Sequence, residues 1–351
     1  MPGLLENRRK WSEHNWEHGG HRWSPGGTRG GTDMMWARSI RPRIHTYLPA
    51  GTLLEIAPGY GRWTEYLLED CRRVIGVDIT ESCVDVCRER FASHAAEFFV
   101  NDGESLGMLA DGSVDFAFSF DSLVHVEAPQ LREYLRELAR TLKPGGAAFL
   151  HHSNLGAYVD SRTGTVPAWV RERHWRAQSV SARLFRQFCA EAGLRCLTQE
   201  VINWIGRDVD VDRHRLPGSQ VPLTDCLSLC VRDTSARDGS SVYVNRRFVD
   251  EWRELIDLTM LYANGGDTAV PSRGPSSGPA ARTSVHPRSG AARVRQTASR
   301  TRHRLQGLGF VLREPIVRAL RSGRCPDCGE PAARRGAGLA CTRCEAHFTW
   351  R

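Results

Sequence analysis

Leu53-Leu54-Glu55-Ile56-Ala57-Pro58-Gly59-Tyr60-Gly61 is the stretch on which the fold turns. An apolar run enters a turn holding one proline and two glycines, and the chain beyond it reads as the start of a helix. Glycine there removes Cβ atoms that would keep a ligand away from the backbone at a strand's carboxyl end. The helix that follows adds unpaired N–H groups nearby. The next apolar run, Val74-Ile75-Gly76-Val77, ends on Asp78, 19 residues beyond Gly59. At that place an acidic side chain accepts hydrogen bonds from a ribose diol. A third run ends in Asn101-Asp102-Gly103 and brings another carboxylate to the same edge.

Outward from this stretch, strands and helices alternate, the pattern of a parallel sheet covered on both faces. Strands are predicted at Thr52–Ile56, Val74–Val77, Glu97–Val100, Val114–Phe120 and Ala147–His151, with closing strands at Leu194–Trp204 and Leu223–Val231. The expected fold is therefore a doubly wound α/β sheet of seven strands. The clearest helix is Leu131–Leu142, where Leu131, Tyr134, Leu135, Leu138 and Leu142 share one face. Lys143-Pro144-Gly145-Gly146 is expected to end it. Further helices are predicted over Ser181–Ala192, closed by Gly193, and over 246–263. These readings divide the chain into an aromatic and His-rich segment (1–45) folding over a pocket, a main domain (46–263), an Arg/Gly/Pro/Ser-rich linker (264–304) and a cysteine module (305–351).

The ordered motifs resemble the class I S-adenosylmethionine-dependent methyltransferases, over roughly residues 50–232. In that family a Leu-Lys-Pro-Gly-Gly element precedes the fifth strand, matched here by Leu142–Gly146. The resemblance implies a Rossmann-like sheet and a cofactor held by Glu55, Ala57, Gly59 and Gly61 on its methionine portion. It also implies Asp78 on the ribose and Asp102 on the adenine amino group, with Gly103 and Phe120 beside them. Ala57 stands where many members carry a first glycine. A nicotinamide dehydrogenase is the structural rival, but its third glycine would fall at Thr64.

Methyl transfer to an alcohol needs an acceptor held in line and a proton removed. The fourth strand ends in Phe120-Asp121-Ser122-Leu123-Val124-His125, and the fifth in His151-His152-Ser153-Asn154. Histidine titrates near neutrality, so His151 or His152 is the expected base. Strand alternation lets only one of them face the pocket. His125 and Asp121 complete the catalytic cluster, Asp121 orienting the base or accepting a hydrogen bond from substrate. A magnesium ion on Asp121 and neighbouring carboxylates or histidines ranks behind these readings. Each such histidine has a structural alternative as a loop-bonded residue. The Asn15–Trp23 stretch is expected to supply acceptor contacts or merely to cap the sheet, with Asn154, Trp175, Asn203 and Trp204 as weaker candidates. The segments around Glu55–Thr64, Phe120–Glu127 and His151–Asn154 resemble bacterial methyltransferases of glycan and glycosylated natural-product pathways. That resemblance implies a sugar hydroxyl acceptor, with an amino-sugar nitrogen as the alternative.

Cys325-Pro326-Asp327-Cys328 and Cys341-Thr342-Arg343-Cys344 are separated by twelve residues, a spacing that sets four thiolates around one zinc ion. The module resembles small zinc ribbons, through Gly338-Leu339-Ala340-Cys341, and a closed site of this kind is structural. The net charge of +8 is local: residues 272–324 hold 12 Arg against one acid, Glu314. Lysine occurs only at Lys10 and Lys143. A basic tail with a zinc ribbon keeps open an RNA methyltransferase reading, and a non-catalytic cofactor-binding protein is a third. Neither a membrane span nor a secretory leader is read in the sequence, so the expected location is cytoplasmic.

Overall fold

The computed structural model describes residues 3–24, 27–171, 175–204, 222–233 and 240–252, except the side chains at 17, 18, 169 and 171. It also gives the backbone of 332–334, 338–341 and 347–349. The predicted linker, most of the helix predicted over 246–263, and Cys325, Cys328 and Cys344 lie outside the described residues. Cys341 ends a short strand, and its side chain is likewise outside the described part.

The chain opens with α1 (Leu4–Ser12), a 3-10 segment (Glu17–Trp23), α2 (Arg29–Met35) and α3 (Arg41–Ile44). The alternating part follows as β1 (Ala50–Ile56), α4 (Thr64–Glu69), β2 (Cys71–Asp78), α5 (Glu81–Arg90), β3 (Ala96–Val100) and β4 (Val114–Ser119). Then come α6 (Ala128–Thr141), β5 (Leu142–Ser153), α7 (Ala168–Arg171), α8 (Ala182–Ala192), β6 (Arg195–Ile202), β7 (Asp225–Val231) and β8 (Ser241–Asn245). Three short strands, β9 (Ala332–Arg334), β10 (Gly338–Cys341) and β11 (His347–Thr349), complete the sheet order β3-β2-β1-β4-β5-β7-β6-β8-β11-β10-β9.

The main body thus has eight strands rather than the expected seven. The additional one, β8, runs parallel to β6 in register Thr198↔Ser241 to Ile202↔Asn245. It is the last strand of the main body, meeting β11 only at Ser241↔His347, and with Tyr243 and Val244 exposed it lacks the buried apolar run that marks the others. The first five strands are mutually parallel and β7 is antiparallel to both β5 and β6. Because β1 lies between β2 and β4, the connections diverge at its carboxyl end and leave the crevice in which such sheets bind ligands.

Helix α6 forms as its periodicity dictates, burying Leu131, Tyr134, Leu135 and Leu138 against the sheet. Each large apolar side chain so buried contributes about 1.5–3 kcal/mol. The Leu-Lys-Pro-Gly-Gly element is no free turn. Leu142 already pairs with Val114 and Ala147 with Phe116, so the residues between bulge out of the ladder within β5. Ser181 caps α8 by accepting from Leu184 N–H, and Gly193 closes it in the left-handed conformation, φ 79°. No helix among the described residues is long and apolar enough to cross a membrane.

Candidate functional site

At the carboxyl end of β1 the backbone turns through three left-handed residues, Ala57 (φ 58°), Gly59 (φ 58°) and Gly61 (φ 80°). A Cβ on Gly59 would stand 2.9 Å from the Trp16 ring and one on Gly61 2.4 Å from Phe91, so space and conformation both require glycine there. Ala57 adopts the same conformation at a steric cost. Its amide donates to Val77 O (2.7 Å), and its carbonyl accepts from Ser122 Oγ (3.0 Å).

Beneath this turn Glu55 is buried, and Thr64 Oγ1 donates to its Oε2 at 2.5 Å. Burial, opposed by the Thr64 hydrogen bond and Arg62, pushes the Glu55 carboxyl up to about 7. Asp78 caps the turn from β2, accepting from Gly59 N (3.1 Å) and from Thr80 N and Oγ1 (3.0 and 2.8 Å). Asp78 lines a cavity of about 530 Å³ that runs past Gly59 and Gly103 to Phe120 and Asp121.

The far end of the cavity is aromatic and charged. Trp11, Trp16, Trp23, Trp63, Trp175 and Trp204 contribute to its walls, with His14, His125, Lys10, Arg62 and Arg176. The Asn15–Trp23 stretch supplies Trp16, Gly20 and Trp23, but α1 contributes as much through Leu4, Asn7, Lys10 and Trp11. Asn7 Nδ2 donates to His125 O (2.9 Å) and Arg62 to Gly20 O (3.4 Å), which holds the N-terminal segment over the crevice.

Asp121, two residues past the end of β4, is in the left-handed conformation, φ 63°, whose cost to a non-glycine residue is offset where the surroundings hold it. A closed ring of contacts does so. Asp121 N–H donates to His151 Nδ1 (3.1 Å), and His151 Nε2 stands 3.3 Å from Asp225 Oδ2 without hydrogen-bond alignment. Asp225 takes both ends of the Arg176 guanidinium (3.1 Å each), and Arg176 returns to within 3.9 Å of Asp121 Oδ1. Arg62 closes on Asp121 Oδ2 from the other side at 3.1 Å. Burial alone would raise the Asp225 carboxyl, but Arg176 and His151 outweigh it and hold Asp225 below its ordinary range. Burial likewise opposes the charge on Arg176, and Asp225 and Asp121 more than restore it.

These positions separate the expected histidines. His151 is fully buried behind Phe120 and Trp204 (ring centroids 4.7 and 5.1 Å) and does not line the cavity. His152 is not positioned as a base: it points to the opposite face of β5 and stacks on Phe185. Both of its ring nitrogens are engaged, Nδ1 with Ser153 O and Nε2 with Ser228 Oγ, at 2.8 Å each. Burial lowers it to about 4. His125 does line the cavity, with Nδ1 bonded to the Trp175 carbonyl, which leaves Nε2 as its basic atom. Burial, and then the charge of Arg176, holds His125 well below the ordinary histidine value, so it is neutral near pH 7.

Phe120 and Gly103 line the cavity as expected, whereas Asp102 is exposed and caps its own turn, accepting from Glu104 N (2.9 Å) and Ser105 N (2.7 Å). Asn154 is bound into the fold by Leu223 O and Ala182 N, and Asn203 is buried away from the cavity, while Trp175 and Trp204 reach it. The magnesium reading at Asp121 does not fit its surroundings, since two guanidiniums bracket the carboxylate and would repel a dication. Among the described residues no cluster of three metal-ligating side chains exists. No local pattern in the sequence marks Arg62, Arg176 or Asp225. Arg176 and Asp225 meet across 49 residues of chain, and the loop bearing Arg176 is held by Glu127, which accepts from Gln178 N (3.1 Å) and Ser179 N (3.0 Å).

Residues 53–146 match the family model of a methyltransferase domain. The chain is 32% identical over 166 residues to the biotin biosynthesis bifunctional protein BioHC of Cellvibrio japonicus, a match covering 46% of this chain and 32% of that protein. It is 29% identical over 175 residues to the phthiotriol/phenolphthiotriol dimycocerosates methyltransferase of Mycobacterium tuberculosis, covering 46% of this chain and 55% of that protein. With the fatty-acid O-methyltransferase of Mycolicibacterium smegmatis it shares 28% identity over 159 residues, or 43% and 47% of the two chains. The chain thus spans about a third to just over half the length of these relatives, and none of their names specifies a sugar acceptor. Among solved structures, an S-adenosylmethionine-dependent methyltransferase from Mesorhizobium loti is similar at 18% identity and a TM-score of 0.40, over 57% of this chain and 100% of that one. The residues present fit S-adenosylmethionine, the cofactor expected of a methyltransferase domain: Asp78 lies on the cavity wall, and Gly59 puts no side chain of its own into the turn. Over residues 53–146 the family match therefore identifies a methyltransferase domain in this chain.

Proposed function

We propose that the protein methylates a hydroxyl of a ring-bearing small molecule, a sugar or glycosylated compound, with His125 as the proton acceptor. When bound, S-adenosylmethionine supplies an electrophilic methyl group on a sulfonium centre. Asp78, Gly59 and Gly103 would hold it along the β1–β2 side of the cavity. The acceptor would lie between the tryptophan faces, which pack against the apolar faces of sugar rings. His125 Nε2 would take the hydroxyl proton as the oxygen becomes nucleophilic. Asp121, fixed by Arg62, would accept a hydrogen bond from the acceptor and set its orientation.

The observation that carries this reading is His125 itself, a cavity-lining imidazole kept neutral by burial and held in one tautomer by the Trp175 carbonyl. Calorimetric titration with S-adenosylhomocysteine tests the cofactor half: wild type binds, and Asp78→Ala loses the binding. Release of S-adenosylhomocysteine across a panel of sugar acceptors tests the rest. His125→Gln should keep cofactor binding and lose about 10²–10⁴-fold in rate, the usual contribution of a positioned base. The acid limb of the wild-type pH–rate profile should have its midpoint below 6.5. A His125→Gln variant as fast as wild type refutes the base assignment.

A further inference from the structure

We infer that the acceptor carries an anionic group, a carboxylate or a phosphate, and that Lys10 is the residue that selects it. This deepens the proposed methyl transfer and rests on it.

The charges around the cavity are almost all accounted for within the protein. Arg62 is paired with Asp121, and Arg176 is paired with Asp225. Among the lining acids, Glu127 is taken up by the amides of residues 178 and 179, and Asp78 by those of 59 and 80. Lys10 is the exception, with no carboxylate partner among the described residues. Its ammonium rests over the face of Trp175, 3.6 Å from the ring centroid. A ring face attracts a cation less strongly than an anion does, and it leaves N–H donors of the ammonium free for an oxygen ligand.

The position of Lys10 ties that charge to the chemistry. Trp175 supplies the carbonyl that holds His125, and the two rings lie 5.0 Å apart. The Lys10 charge acts on His125 and His14 alike, adding to burial and to Arg176 or Arg22 in lowering their basicity. An acceptor hydroxyl at His125 therefore has the rest of its molecule within reach of Lys10. The residue type is informative too. The chain draws nearly all its positive charge from arginine, and its other lysine, Lys143, is paired with Asp115 at 2.7 Å. Lysine offers a compact ammonium on a flexible stem that can follow an anion without requiring the planar geometry of a guanidinium.

The test uses the full chain saturated with S-adenosylhomocysteine and the fluorescence of the tryptophans around the cavity. Matched probes are titrated: glucose 6-phosphate and glucuronate against glucose, and 4-hydroxybenzoate against 4-hydroxybenzamide. The charged members should bind about tenfold more tightly, as one charge-assisted hydrogen bond provides. That preference should shrink in about 0.5 M salt. It should vanish in Lys10→Met, which keeps an apolar stem on Trp175, and persist in Lys10→Arg. A phosphate-only or carboxylate-only preference identifies which anion is selected. Equal affinity within every pair, or a preference that survives Lys10→Met, overturns the inference. Failure of the wild type to bind S-adenosylhomocysteine is a separate result, which would sink the methyl-transfer reading itself.

Discussion

Glu55 makes the folded protein's stability depend on pH in a direction opposite to that of most carboxylates. Its folded-state value is about 7 against an ordinary 4.5, because burial penalises the charged form. Between those values the folded chain binds more protons at this site than the unfolded chain, so stability falls as pH rises through the interval. The full difference is about 3 kcal/mol, from roughly 1.4 kcal/mol per unit. Glu55→Gln keeps an oxygen to accept from Thr64 Oγ1 and removes the titration. Urea unfolding of both proteins should give similar stabilities near pH 4.5 and a Glu55→Gln advantage growing to about 3 kcal/mol by pH 8. Parallel pH profiles would refute the reasoning, because they would mean that Glu55 is hydrated or paired in solution. The same carboxyl lies under the turn where the cofactor's methionine portion is expected. A positive charge on the ligand would favour its ionised form, so cofactor binding should release a proton near pH 7.

Two further outcomes follow from the geometry. Arg176→Met leaves Asp225 buried without its guanidinium and should cost about 3–5 kcal/mol, whereas adding Asp225→Asn to it should recover part of that loss in chemical denaturation. If the double variant were no more stable than Arg176→Met, the ion pair would not be the source of the cost. Ala57→Gly relieves a left-handed alanine and should raise stability by up to about 1 kcal/mol. A loss of more than about 1 kcal/mol would instead show that the Ala57 methyl is held by its packing against the core.

The parts of this architecture legible in the sequence are those written by local pattern. The run Leu53–Gly61 announces β1 and its turn, Asp78 announces the end of β2, and the spacing of Leu131, Leu135 and Leu138 announces α6. β8 is not legible there, because a largely exposed strand has little apolar alternation to reveal it. The pair His151-His152 shows where pattern reading stops. Alternation correctly sends the two rings to opposite faces, but β5 is buried along nearly its whole length, so neither face at that point opens to the cavity. Arg176 and Asp225 carry no motif. Their meaning comes only from the fold that brings a loop after α7 against the start of β7.

The cavity is assembled from two kinds of sequence. Its floor, from Ile56 to Glu127, falls within the segment that matches the methyltransferase domain, while Leu4, Lys10, Trp11, Trp16, Trp23, Trp175, Arg176 and Trp204 lie outside it. Inheritance of the floor therefore constrains the methyl donor and leaves the walls free to diverge. A chimera that exchanged residues 1–45 between two such proteins would be expected to exchange their acceptor preference while each retained its own donor site.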